Sequence, residues 1–158
     1  MDTQSSVGTR IKVGIIGFGR MGRFYWEAMR KSGRWNIAYI CDTDPETRQL
    51  AEKLSPESHI VEDNQCIFED DSVQVVGLFT LADSRMGQIE KAIRYGKHII
   101  SEKPVADTME NEWKVVEMTE NEEMNDIYME RKRAAGGKDQ IEFALDDFGS
   151  GFNSEINI

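Results

Sequence analysis

Apolar residues along this chain recur with two periods, and segments of one kind alternate with segments of the other. Ile11-Lys12-Val13-Gly14-Ile15-Ile16 is short and nearly all apolar, which predicts a buried strand. Behind it Met21, Phe24, Tyr25, Ala28 and Met29 fall at i, i+3, i+4, i+7 and i+8, one face of a helix. Gly33 is placed to end that helix in the left-handed conformation. Ile37 to Cys41 reads as a second strand. Asp44-Pro45 opens a second helix, with Asp as N-cap, Pro at the first helical position, and Leu50, Ala51 and Leu54 facing inward. His59-Ile60-Val61 is a short third strand. Val73 to Phe79 is a fourth, apolar enough to be covered on both faces. Ser84 to Tyr95 predicts a helix with Met86, Ile89, Ala92 and Ile93 inward, closed by Gly96, and His98 to Ser101 a fifth strand. Asp107 and Glu110 have capping-box spacing before a long helix carrying Trp113 and Val116. No internal repeat is present.

Strands alternating with helices imply crossover connections, hence an α/β fold with a doubly wound parallel sheet. The pattern marks 11–120 as the domain. Residues 1–10 are polar and read as a disordered leader. Residues 121–158 form an acidic, Gly-containing tail in which 140–145 alternates enough for one more strand. A length of 158 residues suits a single domain, and the modest 39% hydrophobic content reflects the polar ends.

The formal net charge of −10 argues against nucleic acid, whose phosphates need clustered Lys and Arg. Its acid excess between Asp107 and Glu130 reads as a solvated helix face. The two cysteines, Cys41 and Cys66, form no CxxC pair and complete no metal set with His59 and His98. They read as small buried hydrophobes in a reducing compartment. No segment has the apolar run of a signal peptide or a membrane span, so a cytoplasmic location without membrane partners is expected.

Candidate chemistry begins at Gly17-Phe18-Gly19-Arg20-Met21-Gly22, between the first strand and the first helix. In a GxGxxG of this context the first Gly allows the tight turn. The second lets the backbone approach a diphosphate, and the third permits close helix–strand packing. The diphosphate would sit on the free N–H groups of the helix N-terminus. Arg20 and Arg23 either add positive charge there or are solvated surface residues. Asp42 follows the second strand, 20 residues after Gly22, where an acid accepts hydrogen bonds from the adenosine ribose. The same carboxylate would repel a 2′-phosphate, and its neighbours Thr43 and Asp44 are not Arg, so NAD is expected and NADP disfavoured. A second signal is Glu102-Lys103-Pro104 at the end of the fifth strand, the edge where ligands bind in such sheets. A Lys there can polarise a substrate hydroxyl or steady an alkoxide.

Two runs together carry a family resemblance: Val13-Gly14-Ile15-Ile16 continuing through Gly22, and Gly96-Lys97-His98-Ile99-Ile100-Ser101-Glu102-Lys103-Pro104, with Asp42 and Thr80 between them. From Ile11 to about Glu120 the chain resembles the cofactor domain of the glucose–fructose oxidoreductase, inositol dehydrogenase and rhizopine-catabolism (Gfo/Idh/MocA) family. The resemblance implies a Rossmann-type fold, a nicotinamide cofactor and hydride transfer to or from a sugar or polyol hydroxyl. It places Lys103 near the nicotinamide and substrate as the catalytic residue. It places Thr80, Leu81 and Glu102 along the cofactor beside Gly17, Phe18, Gly19, Arg20, Met21, Gly22, Asp42 and Thr43. No metal is implied.

The chain departs from the family in two ways. Where members often carry Pro and Asn after that Thr and a His further on, this sequence reads Thr80-Leu81-Ala82-Asp83-Ser84-Arg85. Members also usually have a second α/β domain that shapes the substrate pocket and the oligomer interface, and no counterpart is read in this sequence. The expectation is therefore a single cofactor-binding domain, an oxidoreductase by family, with a non-catalytic NAD-binding module as the alternative. Apolar surface left by a missing second domain would favour a homo-oligomer. Separately, Asp146-Asp147-Phe148-Gly149 resembles a loop of EAL-type cyclic-di-GMP phosphodiesterases, but the Glu-Ala-Leu signature is absent, so that activity is not expected.

Overall fold

The computed structural model describes residues 9–120 and 143–145. Its elements run β1 (Ile11–Ile16), α1 (Arg20–Ser32), β2 (Trp35–Cys41), α2 (Pro45–Leu54), β3 (His59–Val61), α3 (Gln65–Glu69), β4 (Val75–Leu78), α4 (Ala82–Arg94), β5 (His98–Ser101), α5 (Met109–Glu120) and β6 (Phe143–Leu145). The strands form one sheet in the order β3-β2-β1-β4-β5-β6, and every neighbouring pair is parallel. This is the doubly wound order, with its switch point between β1 and β4. Apart from β6 and residues 9 and 10, the expected leader and tail lie outside the described residues, as does the Asp-Asp-Phe-Gly run.

The period-two alternation of the strands sorts the core into two layers. Val13 and Ile15 of β1 face Tyr25, Trp26 and Met29 of α1 and Ala51 of α2. Ile16, Val76 and Leu78 face the other way, against Ile67 and Phe68 of α3, Ile89 and Ile93 of α4 and Val115 of α5. Fully burying each such Ile, Leu or Phe contributes about 1.5–3 kcal/mol, so both sheet faces are hydrophobically anchored.

Several expectations shift by a position or more. The buried stripe of α1 is Gly22, Tyr25, Trp26 and Met29, while Phe24 and Ala28 are exposed. Trp26 wins the inward position because it packs edge-on to Phe18, with centroids 5.9 Å apart, and its Nε1–H reaches Ser55 Oγ at 3.2 Å. On α2 only Ala51 is buried, and Leu54 is exposed. The fourth strand is shorter than expected, because Val73 N–H turns back to Asp70 O at 3.0 Å. Helix α5 is capped by Thr108, whose Oγ1 accepts from Asn111 N–H at 3.1 Å, rather than by an Asp107–Glu110 box; Glu110 instead pairs with Lys114 at 2.8 Å. Trp113 and Val116 of that helix are exposed. The short α3 was not expected at all.

The second strand begins two residues earlier than expected and α4 begins at Ala82 where Ser84 was expected, while two helix ends match. Asp44 caps α2, its Oδ2 accepting from Thr47 N–H at 2.8 Å, and Gly33 closes α1 at φ 67°. Of the cysteines, Cys41 is buried, but Cys66 is exposed at the start of α3, so the reading of both as core residues fails for Cys66. Burial pushes the Cys41 thiol up to about 12.

Opposite the carboxyl edge of the sheet, a polar cluster ties the starts of three strands together. Asp70 Oδ2 accepts from Lys12 Nζ at 3.1 Å and from Tyr39 Oη at 3.0 Å. The buried Lys97 donates to the carbonyls of Asp70 and Val73 at 2.7 and 2.9 Å. Partial burial pushes the Asp70 carboxyl up, but the hydrogen bonds from Ser72, Lys12 and Tyr39 together outweigh it and hold the group well below the usual carboxylate range.

Candidate functional site

At the carboxyl edge, β1 hands the chain to α1 through the glycine turn, and neighbouring strand ends lock that turn. Gly17 N–H donates to Cys41 O at 2.8 Å, and Phe79 N–H donates to Ile16 O at 2.8 Å. Gly17 has φ 89°, and a Cβ on it would lie 2.8 Å from Phe79 O. Gly22 is more constrained still, since its Cβ would stand 2.0 Å from Gly17 O. Any side chain at either position would push the helix off the strand.

Gly19 is different. A Cβ there would meet no atom within 4 Å, so nothing in the fold itself demands glycine. Gly19 is also the N-cap of α1, with no side-chain cap and no acidic residue in the first turn. The first-turn N–H groups and the positive end of the helix dipole are therefore left without a capping side chain. Arg20 is exposed and Met21 half-buried. Phe18 is fully buried, so this residue presents only its backbone to the site.

Asp42 stands beside this turn. Its Oδ2 accepts from Phe18 N–H at 2.7 Å and its Oδ1 from Asp44 N–H at 2.9 Å. The carboxylate thus fixes the glycine loop to the end of β2. Thr43 is exposed, and its carbonyl and that of Asp42 accept from Arg48 Nη1 at 2.8 and 2.9 Å.

Across the switch point lie the ends of β4 and β5. Thr80 Oγ1 donates to Gln88 Oε1 at 2.8 Å, and Leu81, the N-cap of α4, is 76% exposed. Glu102 N–H donates to Leu78 O at 3.3 Å, which sets the Glu102-Lys103-Pro104 turn beside the Thr80 loop. Lys103 is exposed, and the Lys103–Pro104 peptide is cis. Glu102 Oε2 accepts from Lys103 N–H at 3.2 Å, whereas Glu102 Oε1 is buried without a hydrogen-bond partner among the described residues.

Arg85, in the first turns of α4, is only 4% exposed. Its guanidinium donates to the carbonyl oxygens of Thr80, Glu102 and Pro104. Burial pushes its pKa down and the nearby Glu102 charge pushes it up. In the sequence Arg85 stood out only as a departure from the family pattern. An Arg near a helix start ordinarily reads as a solvated residue, and nothing local announces that three carbonyls converge on it.

All of the expected site residues therefore gather along one edge of the sheet. Two observations test whether they suit a dinucleotide: the open space at Gly19 above uncapped amides, and the orphaned Glu102 Oε1 across the crevice. The first suits an anion with no room for a side chain, and the second a ligand N–H or O–H donor. Among the described residues no group of three or more His, Cys, Asp or Glu is placed to hold a metal ion.

A doubly wound sheet with this glycine turn and strand-end acid defines a dinucleotide-binding domain. Comparison with known proteins narrows the class. The family described as "Oxidoreductase family, NAD-binding Rossmann fold" (Gfo/Idh/MocA) matches residues 11–129, and the chain belongs to it. It is 26% identical over 141 residues to an inositol 2-dehydrogenase/D-chiro-inositol 3-dehydrogenase of Halalkalibacterium halodurans, covering 87% of this chain and 40% of that protein. It is 27% identical over 143 residues to glycosyl hydrolase family 109 protein 2 of Shewanella sp. (strain ANA-3), covering 83% of this chain and 30% of that protein. Scyllo-inositol dehydrogenase from Lactobacillus casei, solved with NAD(H) and scyllo-inositol, shares the fold at a TM-score of 0.64 and 21% identity, over 87% of this chain and 36% of that one. WlbA dehydrogenase from Bordetella pertussis, solved with NADH and UDP-GlcNAcA, does so at 0.64 and 22%, over 87% and 37%. The chain thus spans well under half the length of these relatives.

Proposed function

We propose that this chain binds NAD along the carboxyl edge of the sheet and serves as the cofactor half of an oxidoreductase acting on a sugar or polyol hydroxyl. The observation that carries the reading is the contrast among the three glycines. Gly17 and Gly22 are walled in by backbone, whereas Gly19 is required only if something outside the fold comes close. In this arrangement the first-turn amides of α1 and Gly19 hold the diphosphate, flanked by Arg20 and Met21. Asp42, with Thr43 beside it, accepts from the adenosine ribose hydroxyls and disfavours a 2′-phosphate. Thr80, Leu81 and Glu102 border the nicotinamide end, and when bound there the nicotinamide supplies or accepts the hydride. Lys103 donates a hydrogen bond to the substrate oxygen and steadies negative charge developing on it. The inositol dehydrogenases among the relatives support a polyol as the substrate class. A cytoplasmic setting is part of the same proposal; among the described residues no helix is long and apolar enough to cross a membrane.

The test is cofactor titration by calorimetry on the protein and on Asp42→Asn. Asn keeps an acceptor for Phe18 N–H but loses the charge. The expected outcome is NAD binding that weakens about tenfold in the variant while NADP binding improves, in line with the loss of charge-assisted bonds worth about 1.5–3 kcal/mol. Unchanged affinity for both cofactors would remove Asp42 from the site, and no binding of either by the parent protein would remove the reading itself. Absorbance of the reduced nicotinamide across a panel of polyols then reports on turnover.

A further inference from the structure

We propose that Arg85 is a positioning residue that sets the separation of the two loops bordering the nicotinamide end, and with it the placement of Lys103. The proposal rests on the dinucleotide reading above and extends it to a residue that reading leaves unused. Its basis is geometric. One guanidinium, 4% exposed, donates to Thr80 O on the loop after β4 and to Glu102 O and Pro104 O on either side of Lys103. A planar group with five donors in a fixed fork is suited to spanning two backbones at one spacing. Among the described residues no carboxylate oxygen is one of its hydrogen-bond acceptors. A buried cation satisfied by carbonyls holds its place only if all three stay where they are. Glu102 N–H also donates to Leu78 O, at the end of β4, at 3.3 Å. Arg85 is therefore a side-chain strut between Thr80 and the Lys103 turn, while the glycine loop and Asp42 are held by other bonds.

This separation of duties gives a test that a general folding role would not pass. NADH and ADP-ribose share the adenosine, diphosphate and second ribose, and differ in the nicotinamide. Affinities for both are measured by calorimetry on the parent protein, on Arg85→Met and on Arg85→Lys. The expected result is that Arg85→Met weakens NADH about tenfold and leaves ADP-ribose within about twofold, and that Arg85→Lys, which retains a cation and part of the bonding, restores most of the loss. If Arg85→Met does not fold, Arg85→Lys alone is expected to lower the ratio of NADH to ADP-ribose affinity by about threefold. Equal losses for the two ligands, or no change in either, would overturn the strut while leaving the dinucleotide site intact. A parent protein that binds neither ligand would overturn the dinucleotide reading and the strut together.

Discussion

Gly19 and Gly22 are three positions apart and answer substitution in opposite ways. At Gly22 a methyl would collide with Gly17 O at 2.0 Å, and backbone cannot step aside as a flexible side chain does. Gly22→Ala is expected to lower stability by about 1–3 kcal/mol, read from the midpoint of chemical denaturation. At Gly19 the methyl meets nothing within 4 Å, so Gly19→Ala is expected to stay within about 1 kcal/mol of the parent, the cost of a poorer N-cap. Its NAD affinity should nevertheless fall at least tenfold, because the methyl occupies the space the diphosphate needs. A Gly19→Ala variant that binds NAD normally would place the diphosphate elsewhere.

Elements differ in how far the sequence foretold them, and the differences have physical causes. Strands β1, β3 and β5 have the bounds their apolar runs indicate; in β1, whose last four residues are buried, a strand covered on both faces leaves little latitude in where polarity returns. The first helix was foreseen, but its face was rotated. Apolar residues at 24, 25, 26, 28 and 29 permit two stripes, and only tertiary contact of Trp26 with Phe18 and Ser55 selects between them. Helix α3 is five residues long, too short to show a period, yet its Ile67 and Phe68 are fully buried. The motif residues of the site were readable because backbone geometry dictates glycine at Gly17 and Gly22. Arg85 was not, because its partners are main-chain carbonyls that any sequence would supply.

At the scale of the whole fold, the described residues divide into the edge proposed to hold the cofactor and an opposite pole where Asp70 joins Lys12, Tyr39 and Ser72. Because the Asp70 carboxyl is held below its unfolded value, the unfolded chain takes up that proton first as pH falls. The stability this group contributes is therefore present above roughly pH 4 and fades as pH drops below it. Asp70→Asn is expected to melt below the parent near neutrality, and the gap in Tm should narrow as pH is lowered from about 5 toward 3. A gap that stays constant across that range would mean that Asp70 acts through packing rather than through its charge.

The bond from Phe18 N–H to Asp42 Oδ2, at 2.7 Å, means that the crevice has its shape before any visitor arrives. On the proposed binding of NAD, entry requires no prior rearrangement of this loop, and most of the ordering entropy falls on the incoming molecule. In stopped-flow mixing, the observed rate should climb in proportion to NAD concentration without levelling off, and a plateau would instead reveal a slow opening step.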